Sequence, residues 1–102
     1  MSKPRVIKDF IKLDESLQEQ VKLAYPFGFE DHLIRFANSN GEMVSALPFE
    51  VEDKFYLVRM SKEQAQMIIQ SDDDYDEGGM LREDVREGYE EKYEEEALSK
   101  EG

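Results

Sequence analysis

The sequence predicts an α+β fold: a three-stranded antiparallel meander with flanking helices, in the order helix, strand, strand, strand, helix, acidic loop, helix. Three observations predict it. Apolar residues recur at helical spacing over residues 14–25, and again from 61 and from 81. Between the first two of these stretches lie short runs rich in β-branched and aromatic residues, separated by turn-forming residues. The chain has 102 residues, room for one domain with one modest core, and its six Phe and five Tyr supply more aromatic surface than a disordered chain carries.

The first segment, Arg5-Val6-Ile7, has no clean period and reads as a short edge strand or an extended arm. Asp14 is placed to cap a helix running to about Tyr25, with Glu15 in the first turn, where the helix dipole favours negative charge. Leu13, Leu17, Val21, Ala24 and Tyr25 form its apolar face, and Pro26 and Gly28 end it. Residues 33–37 are strand-like. Asn38-Ser39-Asn40-Gly41 is a strong hairpin turn because Asn and Gly tolerate positive φ. The chain returns from Met43 to Leu47. Pro48 has no N–H for the ladder and marks an edge, a bulge or a strand end, after which Phe49-Glu50-Val51 continues to a turn near Asp53. Phe55 to Met60 is apolar on both faces, the pattern of a covered or central strand.

Ser61-Lys62-Glu63-Gln64 has the form of a capping box and opens a helix bearing Ala65, Ile68 and Ile69. A charged, glycine-containing loop follows, Asp72 to Gly79. From Leu81 to about Leu98, Leu81, Val85, Tyr89 and Tyr93 repeat every four residues. Gly88 weakens that helix by about 1 kcal/mol relative to Ala. Clustered glutamates repel one another, so its start is expected to dock and its end to fray. The expected organisation is a compact domain over 1–71 and an acidic loop plus helix over 72–102. The expected core is Leu17, Val21, Ile34, Phe36, Val44, Leu47, Phe55, Leu57, Val58, Ile68 and Ile69.

Charge is unevenly placed. Residues 1–70 hold nine Lys/Arg against eleven Asp/Glu, whereas residues 71–102 hold four against fourteen. Such a field repels phosphate backbones, which argues against direct nucleic-acid binding, and attracts basic protein surfaces or cations. The absence of cysteine excludes disulfide and thiolate metal sites. No stretch approaches the roughly 18 apolar residues of a membrane span. The basic start is followed by Lys8, Asp9 and Lys12 rather than by an apolar run, so no secretory signal is expected and the cytoplasm is the expected compartment.

Three chemistries merit weighing. Counting from Asp72, carboxylates fall at positions one (Asp72), three (Asp74), five (Asp76) and twelve (Glu83), an EF-hand-like calcium spacing. Position six, which should be glycine, is Glu77. Asp31-His32 contains the one histidine, with no nucleophile elbow to serve, and no glycine-rich phosphate loop occurs, so neither a catalytic residue nor a bound cofactor is expected. Tyr75, Tyr89 and Tyr93 stand among Glu90, Glu91, Glu94 and Glu95, combining aromatic contact area with electrostatic steering. The reading that follows is a non-enzymatic protein-interaction module whose acidic C-terminal surface binds a basic partner. Alternatives are a calcium-binding module and a nucleic-acid-mimicking inhibitor of a basic protein. A further reading puts the function on the sheet face or exposed edge of residues 1–70, with the tail as solubiliser. Oligomeric state is not fixed by any of these.

The run Ser45-Ala46-Leu47-Pro48-Phe49-Glu50, then Phe55 to Met60 and the Asp-rich loop, resembles a family of short acidic bacterial proteins that is uncharacterised. The resemblance implies a bacterial cytoplasmic protein and carries over no functional residue.

Overall fold

Backbone pairing, rather than local pattern, decides the sheet. The computed structural model describes residues 3–101, with the backbone alone described from 95 onward. The elements are β1 (Arg5–Asp9), a 3-10 turn (Phe10–Lys12), α1 (Glu15–Ala24), a second 3-10 turn (Glu30–His32), β2 (Ile34–Ala37), β3 (Met43–Glu50), β4 (Phe55–Arg59), α2 (Lys62–Ser71) and α3 (Glu83–Glu101). The four strands form one mixed sheet in the order β1-β4-β3-β2. β2, β3 and β4 make the antiparallel meander, and β1 lies parallel to β4 with Arg5 opposite Phe55 and Asp9 opposite Arg59.

The expected three-stranded antiparallel sheet is therefore corrected to a four-stranded mixed one. Arg5-Val6-Ile7-Lys8-Asp9 is short, interrupted by charge and without a neighbouring turn, and its partner strand lies 50 residues on. Parallel pairing leaves no hairpin signal in the sequence. β1 also makes β4 a central strand, which accounts for the apolar character of β4 on both faces.

Local signals hold where side chains bind the backbone nearby. Asp14 caps α1 by accepting from Leu17 N at 2.8 Å. Ser61 and Gln64 close the capping box, with Gln64 N donating to Ser61 Oγ at 3.1 Å and Ser61 N to Gln64 Oε1 at 2.8 Å. In the β2–β3 turn, Asn38 Oδ1 accepts from Asn40 N and Glu42 N, both at 2.9 Å, and Gly41 takes the positive φ. Pro48 does not end β3. It pairs with Leu57 of β4, and its carbonyl, on the side β2 does not reach, accepts the hydroxyl of Tyr25. A proline is tolerated there because no strand on that side needs its missing N–H.

Alternation sorts the sheet into two faces. Val6, Leu47, Phe49, Tyr56 and Val58 lie on the inner face and join Phe10, Leu13, Val21, Phe29, Met60, Ala65, Tyr75 and Leu81 in one cluster, with Leu17, Ile68 and Ile69 packed against it. Arg5, Ile7 and Asp9 of β1, with Phe55, Leu57 and Arg59 of β4, lie on the outer face. So do Ala46 and Pro48 of β3, and Ile34 and Phe36 of β2 with Val44. Four expected core residues, Ile34, Phe36, Val44 and Phe55, thus belong to this outer face and not to the helix-covered core, whereas Leu57 lies on the outer face but is buried as expected, 6% exposed. A one-residue difference in strand position exchanges the faces, and hydrophobicity alone does not say which face the helices take.

The helices pack on the inner face, and the smallest principal dimension, 19 Å against 43 and 40 Å, is that of two layers. Replacing Tyr25 by Phe removes the one side-chain bond to the Pro48 carbonyl among the described residues. That change is expected to cost about 1 kcal/mol, read as a lower urea midpoint at unchanged m-value. An unchanged midpoint would mean that water serves that carbonyl equally well.

Candidate functional site

α1 carries two charged residues on the flank of its apolar stripe, and both are buried by the acidic C-terminal third. Lys22 and Glu19 are each 8% exposed. Lys22 Nζ lies 2.5 Å from Asp72 Oδ2 and 2.9 Å from Asp74 Oδ2. Tyr89 of α3 donates its hydroxyl to the same Asp74 oxygen at 2.6 Å. One turn back along α1, Glu19 Oε1 accepts from Lys92 Nζ at 2.9 Å and from the Tyr93 hydroxyl at 2.5 Å. Two polar clamps therefore join α1 to α3, and the Asp72–Asp74 segment is part of one of them.

The loop is more structured than its composition suggests. Tyr75 bridges to Leu81, Asp76 N donates to Met80 O at 2.8 Å, and Asp76 Oδ1 accepts from Gly78 N and Met80 N. Gly79 supplies the positive φ that closes this turn. Two donors from the loop reach the C-terminal end of α1: the Tyr75 hydroxyl to Tyr25 O at 3.1 Å and Leu81 N to Pro26 O at 2.7 Å. Carbonyls there lack helical partners: Leu81 N serves that of Pro26, and the Tyr75 hydroxyl shares that of Tyr25 with Gly28 N, which donates at 3.2 Å.

Burial disfavours charge at Lys22, but its bonds to Asp72 and Asp74 outweigh burial and hold its pKa above the ordinary lysine value. Burial likewise pushes the Asp74 carboxyl up, and the bonds from Tyr89 and Lys22 bring it below the usual carboxylate range. Glu19 is lowered in the same way, with Lys92 and Tyr93 overcoming its burial. Burial, then the Asp74 carboxylate, raises the Tyr89 phenol far above its normal range.

Docking of α3 shapes a groove. Asp14, Leu17 and Leu23 of the α1 region form one wall, the β3–β4 turn another, and Tyr93 of α3 a third. Phe49 and Tyr56, with ring centroids 6.4 Å apart, line it with Leu17 and Leu23. Asp14, Glu50, Glu52 and Asp53 contribute carboxylates, with Lys54 as a cation among them. The groove encloses about 980 Å³, enough for several side chains of a bound segment. No protein-family model, curated protein or solved structure matches the chain.

The residues singled out in the sequence are distributed as follows. Tyr75 is 4% exposed and faces the core, where its ring meets Phe29 edge-on at 6.1 Å. Tyr89 and Tyr93 are half-buried against α1, and Tyr93 also lines the groove. Glu90, Glu91 and Glu94 are exposed, with Glu90 3.5 Å from Arg86. The Glu95 side chain lies outside the described residues. The calcium spacing is not realised as a cluster. Asp72 and Asp74 are turned to Lys22, Asp76 caps its own turn, and Glu83 is exposed in the first turn of α3. Among the described residues no group of three or more His, Asp or Glu side chains is placed to hold a metal ion. His32 is exposed, its ring 5.0 Å from that of Tyr25. Among the described residues no helix is long and apolar enough to cross a membrane.

Sequence reading missed Lys22, Glu19 and the groove acids of the nearly neutral first 70 residues. The available signal for the pair was its position: Glu19 and Lys22 sit three apart beside the Leu17–Val21 stripe, where a charge is either at the boundary or paired.

The depressed carboxyls set a pH dependence. Their folded pKa values lie below their unfolded ones, so the stabilisation is complete above the unfolded values near about 4. It is lost as pH falls through the folded values. The Tyr89 and Tyr93 ring resonances are therefore expected to hold constant from pH 7 to about 4 and to move only below that. Movement centred above pH 5 would contradict the clamps.

Proposed function

We infer that the chain is a non-enzymatic protein-interaction module of the cytoplasm that binds a basic partner protein. The observation that carries this reading is the groove, where aromatic side chains and a ring of carboxylates line one open cleft. Apolar and aromatic area gives short-range attachment, and carboxylates favour lysine- and arginine-bearing segments and raise their encounter rate. Phe49, Tyr56 and Tyr93 are the contact residues, and Asp14, Glu50, Glu52 and Asp53 the charge-matching ones. Glu90, Glu91 and Glu94, exposed on α3, extend the negative field along the partner's approach. In this reading the α1–α3 clamps position Tyr93 and so complete the groove.

The test uses a labelled amphipathic peptide in which lysines alternate with leucines, titrated into the full chain at low and moderate salt. Binding should weaken with salt. Reversal of three rim charges, Glu50→Lys, Glu52→Lys and Asp53→Lys together, should weaken it about tenfold or more. Phe49→Ala should weaken it at every salt concentration. If the rim reversal leaves the affinity unchanged while Glu90→Lys/Glu91→Lys/Glu94→Lys abolishes binding, the groove is not the site and α3 alone is.

A further inference from the structure

We propose that Asn40 is a site of spontaneous covalent modification, at which the side-chain amide is lost as ammonia and the link to Gly41 becomes partly isoaspartyl. Asn38 and Asn40 are the two asparagines of the chain, and both lie in the β2–β3 turn. The turn uses them differently. Asn38 Oδ1 accepts from Asn40 N and Glu42 N, both at 2.9 Å, and Asn38 N donates to Glu42 O at 2.8 Å. Asn40 contributes its backbone N–H alone. Its side chain is exposed and has no hydrogen-bond partner among the described residues.

The residue after Asn40 supplies the nucleophile. Once it has given up its proton, the Gly41 backbone nitrogen attacks Asn40 Cγ. The new N–Cγ bond closes a succinimide ring, the Cγ–Nδ2 bond breaks, and the departing amide takes a proton from solvent and leaves as ammonia. Water then opens the ring. Cleavage of the N–Cγ bond leaves aspartate, and cleavage between the nitrogen and the main-chain carbonyl leaves an isoaspartyl link through Cγ. Water is taken up and ammonia released, with nothing oxidised or reduced. A side chain at position 41 would crowd this ring. Gly41 has none, its φ is +80°, and a Cβ built there meets nothing within 4 Å. Asn38 is followed by Ser39 and its carboxamide is held by two backbone donors, so the same attack is disfavoured there.

The turn itself sets the rate. Gly41 N donates to Asn38 O at 2.9 Å, and a nitrogen engaged in this way is free neither to lose its proton nor to reach Cγ. Reaction proceeds from turns that have opened, and local opening of an exposed turn costs far less than unfolding. An isoaspartyl product adds a backbone atom between residues 40 and 41 and a carboxylate beside Glu42. The Gly41 N–Asn38 O, Glu42 N–Asn38 Oδ1 and Asn38 N–Glu42 O bonds all cross that link. β2 is an edge strand paired only with β3, and Ala37 opposite Met43 is the pair next to the turn. The disturbance therefore falls on this hairpin. The groove lies at the other end of β3, so the inference is independent of it.

Peptide mapping by mass spectrometry of the full chain, held for days in mildly alkaline buffer, tests the proposal. Conversion is expected at Asn40, with aspartyl and isoaspartyl forms of one peptide separating by chromatography, while Asn38 stays intact. Asn38→Ala removes the acceptor that organises the turn and should speed conversion at Asn40 about threefold or more. The chain unfolded in urea should convert fastest. In the isolated isoaspartyl form, the amides of Phe36 and Val44 should lose about tenfold in exchange protection, with Val58 unchanged. Asn40 left intact in the folded chain after the urea-unfolded chain has reacted overturns the proposal. Conversion at Asn38 as fast as at Asn40 overturns it as well. Equal rates in the parent chain and Asn38→Ala overturn the control by the turn, and a hairpin that keeps its protection overturns the structural consequence.

Discussion

The Lys22 ammonium and the two aspartates around it join three parts of the chain that sequence order keeps far apart. α1 provides the lysine, the loop after α2 provides Asp72 and Asp74, and α3 adds the Tyr89 hydroxyl to the same Asp74 oxygen. A nearly buried ammonium without a partner is strongly disfavoured, and so are two adjacent carboxylates without a cation. Each side is tolerable only because the other is present. The loop cannot leave α1 without exposing that mismatch, and while it stays, Tyr75 remains in the core and Leu81 N on the carbonyl of Pro26. The second clamp, Glu19 with Lys92 and Tyr93, extends the attachment along α3. Buried ion pairs are weak sources of net stability but strong determinants of arrangement, and arrangement is what this one supplies.

Position of the helices follows from that anchoring and has two consequences. On the helical side, α3 brings Tyr93 to the groove that Phe49 and Tyr56 line between α1 and the β3–β4 turn. On the other side, every helix has been used on one face, and the sheet is left with apolar residues on its outer surface. The parallel addition of β1 enlarges that outer surface and places Arg5 and Asp9 on it. A groove for a basic segment and a sheet face of mixed apolar and charged residues are thus opposite products of one packing decision.

Much of the local structure was legible in the residues. The Asp14 cap, the Ser61–Gln64 box and the Asn38–Gly41 turn are each decided by a side chain bonding the backbone within four residues, and each was foreseen to within a residue or two. What was not legible depends on distant partners. β1 was expected as an edge strand or an extended arm and is an edge strand, but its parallel pairing with a strand 50 residues away leaves no local signal. Pro48 left an edge, a bulge and a strand end all open in the sequence because its compensation, the Tyr25 hydroxyl, comes from another element. Ile34 and Phe36 read as core because both sheet faces bear apolar residues, and the sequence does not say which face receives helices. Acids in the loop read as a solvated or calcium-binding run because their counter-ion is one lysine on α1. The aspartates and tyrosines were found as a group, but several are turned inward, and the groove acids lie in the part of the chain whose charges nearly cancel.

Native-state hydrogen exchange on Lys22→Met tests the anchoring most directly, because methionine keeps most of the volume and removes the charge. Breaking the buried pair should cost about 3 kcal/mol at the loop and α3. The account predicts a loss of protection of roughly a hundredfold for amides of residues 72–94, with β4 amides such as Val58 keeping theirs. Unchanged protection over 72–94 would contradict it, because α3 would then be held by apolar packing alone. Equal loss throughout the sheet and α3 would contradict it too, since Lys22 would then support the whole core rather than the attachment of the acidic third.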